Sequence, residues 1–95
     1  MEFDWDDGNR AKAERHGASR AEIEHAMRTG ARRAPDPVRS LTEQRFIAVG
    51  RTAAGRAVFI AFCWRGGRIR PISARYMHAR EVAKYEEAQG AGDDQ

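Results

Sequence analysis

Arginines are the residues of this chain whose number and placement point most clearly to chemistry. Residues 45 to 80 contain eight arginines and no acidic residue, a formal charge of +8. Arginine is permanently charged, and its planar fork of N–H donors matches two phosphate oxygens. The flanking segments are neutral to acidic, at −1 for residues 1 to 44 and −4 for residues 81 to 95. We therefore expect a basic surface that attracts RNA or DNA first, or an acidic protein partner.

The size and composition of the chain predict one small domain. Its 95 residues are 41% hydrophobic, which is typical of a globular protein. We expect a single domain over residues 1–90 and a flexible tail over residues 91–95. Cys63 lies in an apolar run and predicts a buried thiol rather than a disulfide. The chain starts with acidic residues and has no long apolar run, so we expect neither a signal peptide nor a membrane association. We therefore expect a cytoplasmic protein.

Two helices are predicted in the N-terminal third. The first has an aspartate cap at residue 4 or 6 and runs to about His16, with Gly17 as its stop. The second begins at Ser19, which has the spacing of a capping box with Glu22, and ends at Gly30. Apolar residues at 23, 26 and 27 place one face of this helix against a core.

The rest of the chain predicts strands and then a last helix. Residues 45–50, 56–64 and 68–76 have the composition of three strands of an antiparallel meander, with a further short edge strand possible within the loop over 32–40. Pro71 marks an edge, a bulge or the irregular start of the third strand. Residues 79 to about 89 predict a helix with its glutamates outward. The predicted fold class is α+β, a small sheet of three to four strands with two N-terminal helices and one C-terminal helix.

Several short motifs, in register over nearly the whole chain, resemble one known family. They are "FDWD", "RHG" followed by "SRAE", "RFIAVGRTAAGR" and "RIRPISARYMHAREVAKYE". Together they resemble the BrnT family of bacterial type II toxins, which is similar in fold to RelE-type ribonucleases. The resemblance implies a RelE-like domain that cleaves RNA and inhibits translation. It also implies a cognate BrnA-like antitoxin that neutralises the toxin, with operator DNA bound only through the complex of the two proteins.

Metal-free cleavage of RNA requires three chemical functions. A base removes the 2′-hydroxyl proton, cations stabilise the charge that develops around phosphorus, and an acid protonates the leaving 5′ oxygen. The one cysteine and three scattered histidines have no metal-ligand spacing. We therefore expect no metal and no other cofactor.

The first group of candidate catalytic residues lies on the predicted sheet. Arg75 is the leading candidate for stabilising the scissile phosphate, because it ends the third strand and a sheet holds side chains rigidly. The alternative for Arg75 is an ion pair with an acidic neighbour. Arg45 and Arg51 share one face of the first meander strand and are the next candidates. Their alternative is that both are solvated at strand ends.

The second group straddles the step between the first two helices and comprises Arg15, His16 and Glu22. By resemblance, Glu22 is a general base or orients Arg15, and its alternative role is the capping box. Histidine titrates near neutral pH, which suits His16 to acid–base catalysis. The alternative for His16 is a hydrogen bond to a carbonyl at the helix end.

Four further residues are candidates for binding RNA. Arg56 follows the turn glycine and is suited to a structural or a binding role, while Arg68 and Arg70 share a face that could guide the RNA backbone. His78 precedes the last helix, where it either caps that helix or acts as an acid.

Two functions are consistent with these residues. The first is a metal-independent endoribonuclease toxin. The second is a non-catalytic basic module that engages an acidic protein partner or nucleic acid and acts in operon regulation.

Overall fold

The predicted α+β class is confirmed, with a fourth strand at the position where a short edge strand was considered possible. The computed structural model describes residues 1–36 and 43–93 of the chain. Within them the elements are α1 (Asp7–Ala13), α2 (Arg20–Arg28), β1 (Arg32–Pro35), β2 (Phe46–Arg51), β3 (Ala57–Arg65), β4 (Arg68–Tyr76) and α3 (Ala79–Asp93). All four strands are antiparallel and neighbour one another in chain order. Residues 37–42 of the predicted loop and 94–95 of the predicted tail lie outside the described residues, and the RelE-like assignment stays a prediction.

Capping residues determine where the first two helices begin. Asp6 caps α1 and accepts a hydrogen bond from the backbone N–H of Asn9, and Ser19 caps α2 in the predicted capping box with Glu22. The predicted end of the first helix at His16 was wrong, since α1 ends at Ala13. The turn that follows explains the difference. Its backbone N–H groups at Arg15 and Gly17 donate to carbonyls three residues back, at Lys12 (3.3 Å) and Glu14 (3.1 Å), so the helical pattern is not continued. The Glu14 carboxylate then accepts the first backbone N–H of α2 (2.8 Å).

The hydrophobic core lies between α1, α2 and one face of the sheet. Its fully buried members include Ile23 and Met27 of α2, Ile60 and Phe62 of β3, and Ile69 of β4. Strands β3 and β4 form the predicted long hairpin. Their pairing shifts register between Ala61 and Phe62, opposite Pro71, and β4 is an edge strand, so both the bulge and the edge among the alternatives for that proline fit the structure.

Side chains alternate along a strand, so the residues between the core-facing positions of each strand point to the opposite face of the sheet. This second face is only partly covered. Helix α3 follows β4 directly and is fastened near its start by Glu81, whose carboxylate accepts two hydrogen bonds from Arg75. The prediction that Glu81 points away from the sheet was therefore wrong. Helix α3 also continues to Asp93 instead of ending near Gln89.

A buried asparagine joins the N-terminal segment to the edge of the sheet. The side-chain N–H groups of Asn9 donate to the carbonyls of Asp4 (3.0 Å) and Pro71 (2.9 Å), and its side-chain oxygen accepts from the N–H of Asp6 (2.7 Å). Since Asn9 is only 6% exposed, water does not replace these partners. Asn9 therefore holds α1 against β4.

We predict that Asn9→Ala lowers the free energy of unfolding by about 1–3 kcal/mol, because it leaves the buried Pro71 carbonyl without its donor. Gln89→Ala is the matched control, since the Gln89 amide bonds Arg32 at the surface, and such exposed changes cost within about 0.5 kcal/mol. Urea denaturation of both variants measures the difference. Equal effects would contradict the structural role of Asn9.

Candidate active site

A cleft on the second face of the sheet collects three of the six predicted catalytic residues. It has a volume of about 340 Å³, and its floor consists of residues from β2, β3 and β4 that include Ile47 and Phe59. Its polar lining is formed by His16, Asp36, Arg45, Ser73 and Arg75. The cleft thus combines two arginines with a histidine and a carboxylate above an apolar floor.

Arg75 is held in this cleft by two contacts. Its Nη1 and Nη2 atoms donate to the two carboxylate oxygens of Glu81 at 2.8 and 2.7 Å, and its guanidinium carbon lies 4.8 Å from the centre of the Phe59 ring. Among the described residues these are the only hydrogen bonds of the guanidinium, which has five N–H donors. Three donors therefore stay available to a ligand, while Glu81 fixes the plane of the fork.

The ion pair also sets the charge states of its two members. Hydrogen bonding to Arg75, together with the backbone N–H of His78, lowers the pKa of Glu81 from its ordinary value of 4.5 to about 2. The Glu81 carboxylate in turn raises the pKa of Arg75. Both groups are thus fully ionised at neutral pH, and Arg75 is a permanent cation.

The other polar lining residues come from separate elements that backbone contacts hold in place. Arg45 directly precedes β2, and its carbonyl accepts the N–H of Asp36 (2.8 Å), which extends the pairing of β1 with β2. His16 is exposed in the turn after α1. Asp36 was missed by sequence reasoning, since it lies in a proline-rich stretch interpreted as a loop. The signal that could have identified it is a carboxylate immediately after an edge strand.

Arg51 shares the face predicted for it but lies outside the cleft. It lines a separate groove of about 450 Å³ between β2 and α3. There it donates to the Gly55 carbonyl (2.8 Å) and to the Glu86 carboxylate (2.7 Å). Arg51 therefore fastens α3 to the end of β2, and the structure does not bring it together with Arg45 and Arg75.

Comparison with known families identifies the chain. Residues 5–81 match the family model described as the ribonuclease toxin BrnT of type II toxin–antitoxin systems. The chain belongs to the BrnT family. A search of curated proteins returned no match. The residues that line the cleft lie within the matched segment. All ten candidate residues from the sequence also lie within residues 5–81.

The resemblance to BrnT pointed to Glu22 as a base, but the structure places Glu22 outside the cleft. Its carboxylate accepts hydrogen bonds from the Ser19 N–H (3.0 Å) and the Tyr76 hydroxyl (2.7 Å). These two contacts, the Ser19 bond first, lower the pKa of Glu22. Arg56 stacks on the far side of this cluster, 3.6 Å from the centre of the Tyr76 ring. Glu22 and Arg56 thus support the junction of α2 and β4.

Arg68 and Arg70 share one face of β4, as predicted, but both pair with the N-terminal segment. Arg70 is 15% exposed and reaches Asp6 at 2.8 Å and Asp4 at 3.4 Å, and Arg68 reaches Glu2 at 3.2 Å. These ion pairs engage both arginines with carboxylates, and a role for them in guiding an RNA backbone stays a prediction. Their geometry indicates that they hold the N-terminal segment beside β4, where Phe3 bridges to Ile69.

The remaining candidates lie at the margin of the cleft. Arg15 is exposed in the same turn as His16, but its side chain does not line the cleft. His78 precedes α3, and its backbone N–H donates to Glu81 (3.3 Å).

The described residues contain no cluster of histidine, cysteine and carboxylate groups that could hold a metal ion. No described helix has the length and apolar character needed to span a membrane.

The Arg75–Glu81 pair predicts a specific pH dependence of stability. A carboxylate whose pKa is lower in the folded than in the unfolded state stabilises the fold above the unfolded value, and this contribution is lost as the pH falls. The melting temperature of wild type should exceed that of Glu81→Gln at pH 6, and the difference should narrow below pH 4.5 and disappear near pH 2.

Glu87→Gln provides the control for this measurement, because Glu87 lies on the same helix without an ion pair to any described residue. It should stay close to wild type at each pH. A constant gap between wild type and Glu81→Gln from pH 6 to pH 3 would show that the ion pair does not form in solution.

Proposed function

We propose that this BrnT protein is a metal-independent endoribonuclease whose active site is the cleft that holds Arg75, Arg45 and His16. The observation that supports this most strongly is the convergence of these three residues, from the start of β2, the end of β4 and the turn after α1, on one concavity. The cleft combines permanent cations with an imidazole, whose two ring nitrogens can donate and accept a proton.

In the proposed reaction the 2′-hydroxyl of the substrate loses its proton and its oxygen attacks the adjacent phosphorus. The bond to the 5′ oxygen breaks, and that oxygen takes up a proton. The products are a 2′,3′-cyclic phosphate and a 5′-hydroxyl. Arg75 donates its remaining N–H groups to the phosphate oxygens, whose negative charge is greatest in the transition state. Arg45 supplies a second positive charge at the same oxygens.

Proton transfer is assigned to His16, with Asp36 as the second lining group able to accept a proton. His16 is exposed, so it can exchange protons with solvent between reaction cycles. Glu22 is not part of this proposal, because its carboxylate is engaged by Ser19 and Tyr76 away from the cleft. Arg51 and Arg70 are not part of it either, since each fastens a chain segment through ion pairs.

Membership in a type II toxin family implies a protein antitoxin as partner. We propose that cleavage of cytoplasmic RNA by the toxin inhibits translation and that a BrnA-like antitoxin neutralises it. Binding to operator DNA then belongs to the complex of the two proteins. The non-catalytic basic module is the function that stays if no RNA cleavage is found.

The chemistry is tested with two RNA substrates that differ by one atom. We predict that an RNA with a single 2′-deoxynucleotide at the cleavage position is not cut there, since the attacking oxygen is missing. Cleavage of the all-ribose RNA should continue in EDTA and yield cyclic phosphate ends, detected by mass spectrometry. Cutting at the deoxynucleotide, or loss of activity in EDTA, contradicts the proposed mechanism.

Arg75 is tested by substitution. We predict that Arg75→Ala lowers the rate of the cleavage step by about 10²–10³-fold, the usual effect of removing one donor from a transition-state oxyanion. Arg75→Lys keeps the positive charge but loses the planar fork of N–H donors. Its rate should lie between that of wild type and that of Arg75→Ala. Single-turnover cleavage measures both.

Arg65→Ala is the matched control, because Arg65 ends β3 and pairs with Glu43 at the surface. Its rate should equal that of wild type. Circular dichroism establishes that each variant is folded before rates are compared. A folded Arg75→Ala protein with the wild-type rate excludes Arg75 from the active site.

A further inference from the structure

A second concavity adjoins the proposed active site on the surface of α3. It has a volume of about 620 Å³ and is lined by Arg75, His78, Arg80, Glu81 and Lys84. Arg75 lines this concavity and the cleft alike. A ligand bound at Arg75 in the cleft is therefore next to the concavity on the first two turns of α3.

Two of the three cations that line this concavity, Arg80 and Lys84, differ from Arg51 and Arg70 elsewhere on the sheet. Arg51 and Arg70 are committed to carboxylates. Arg80 and Lys84 are exposed, and neither forms a hydrogen bond or an ion pair with any residue in the described ranges. The one acid in the concavity, Glu81, has both oxygens directed to Arg75. An incoming anion thus meets free positive charge at Arg80 and Lys84.

The spacing of these cations suits a chain of phosphates. Positions 80 and 84 are four residues apart on one helix, about 6 Å along its axis and on one face, close to one nucleotide step of an extended strand. Arginine and lysine bind phosphate oxygens without reading the bases. The surface is open, so a single strand can lie along it.

We propose that Arg80 and Lys84 form a phosphate-binding subsite for the single-stranded RNA backbone next to the scissile link. This proposal rests on the proposed ribonuclease function and extends it to the flanking nucleotides. The subsite is independent of base sequence, and it places the backbone so that the phosphate to be cleaved lies beside Arg75. We expect no comparable contribution from the exposed Lys12 of α1, which lies outside both concavities.

The first test measures the salt dependence of binding to a fluorescent 2′-deoxy oligonucleotide that cannot be cleaved. Each lost phosphate contact reduces the slope of log affinity against log salt by about 0.7 for a single strand. The slope should fall by about 0.7 in Lys84→Ala and by about 1.4 in the Arg80→Ala/Lys84→Ala double variant. Over a tenfold rise in salt, wild type then loses about 25-fold more affinity than the double variant.

Lys12→Ala is the matched control for Lys84→Ala. Both changes remove one exposed helical lysine and one positive charge, so a general effect of net charge would be equal in the two proteins. We expect Lys12→Ala to keep the wild-type slope. Equal slopes for the two single variants would overturn the subsite.

The second test localises the contact on the RNA. An uncharged methylphosphonate replaces one phosphate at a time on either side of the scissile link. In wild type one flanking position should weaken binding more than the others, and in the double variant the same replacement should cause no additional loss, as a double-mutant cycle requires for a direct contact.

Additive losses of binding at every methylphosphonate position would contradict the proposal.

Failure of the subsite is distinct from failure of the ribonuclease function. If wild type cleaves RNA but the double variant cleaves and binds it equally well, only the subsite is wrong. If the double variant binds RNA normally and loses affinity for the antitoxin, the surface serves an acidic protein partner and the subsite is again wrong. If wild type neither binds nor cleaves RNA, the proposed function itself fails.

Discussion

The bidentate ion pair between Arg75 and Glu81 is the interaction on which the proposed site depends. It joins the last strand to the first turn of α3 and holds the guanidinium at the border between the cleft and the concavity on α3. An ion pair with both side chains partly exposed contributes little to stability. Its importance is geometric, since a fork held in one plane approaches a phosphate with less loss of entropy than a freely rotating one.

The separation of charge along the sequence has two roles. Acids from both ends of the chain pair with the acid-free segment: Asp4 and Asp6 bind Arg70, and Glu86 binds Arg51. These contacts hold the N-terminal segment and α3 against the sheet. The excess of arginine therefore does not form one uniform RNA-binding surface. Ion pairs that hold chain segments together use part of it, and Arg80 and Lys84 are among the exposed cations that form no ion pair with any described residue.

Local signals in the sequence predicted most of the fold because they act over a few residues. The capping box at Ser19, the run of β3 and the proline in β4 each carry their own physical cause, and the structure confirms all three. The end of α1 was not predictable in this way. The chain there forms a turn in which the Glu14 carboxylate accepts the N–H of Arg20, and this contact joins two elements and is not indicated by the pattern of either one.

The site was predictable in part for the same reason. Parity along strands correctly placed Arg45 on the second face, and the position of Arg75 at a strand end was informative. The roles of Glu22 and Arg51 depended on which residues from distant elements reach them, and Tyr76 and Glu86 are those residues. Asp36 entered the site through the pairing of β1 with β2, which a proline-rich stretch did not indicate.

The most direct test of the account is a crystal structure of the protein with an RNA analogue that lacks the attacking 2′-hydroxyl. The account predicts that the phosphate at that position lies in the cleft, with its oxygens about 2.7–2.9 Å from Arg75, the usual length of a charge-assisted hydrogen bond. It also predicts that Glu81 still holds the other side of the guanidinium. A phosphate seated in the groove beside Arg51, with Arg75 bonded only to Glu81, would contradict it.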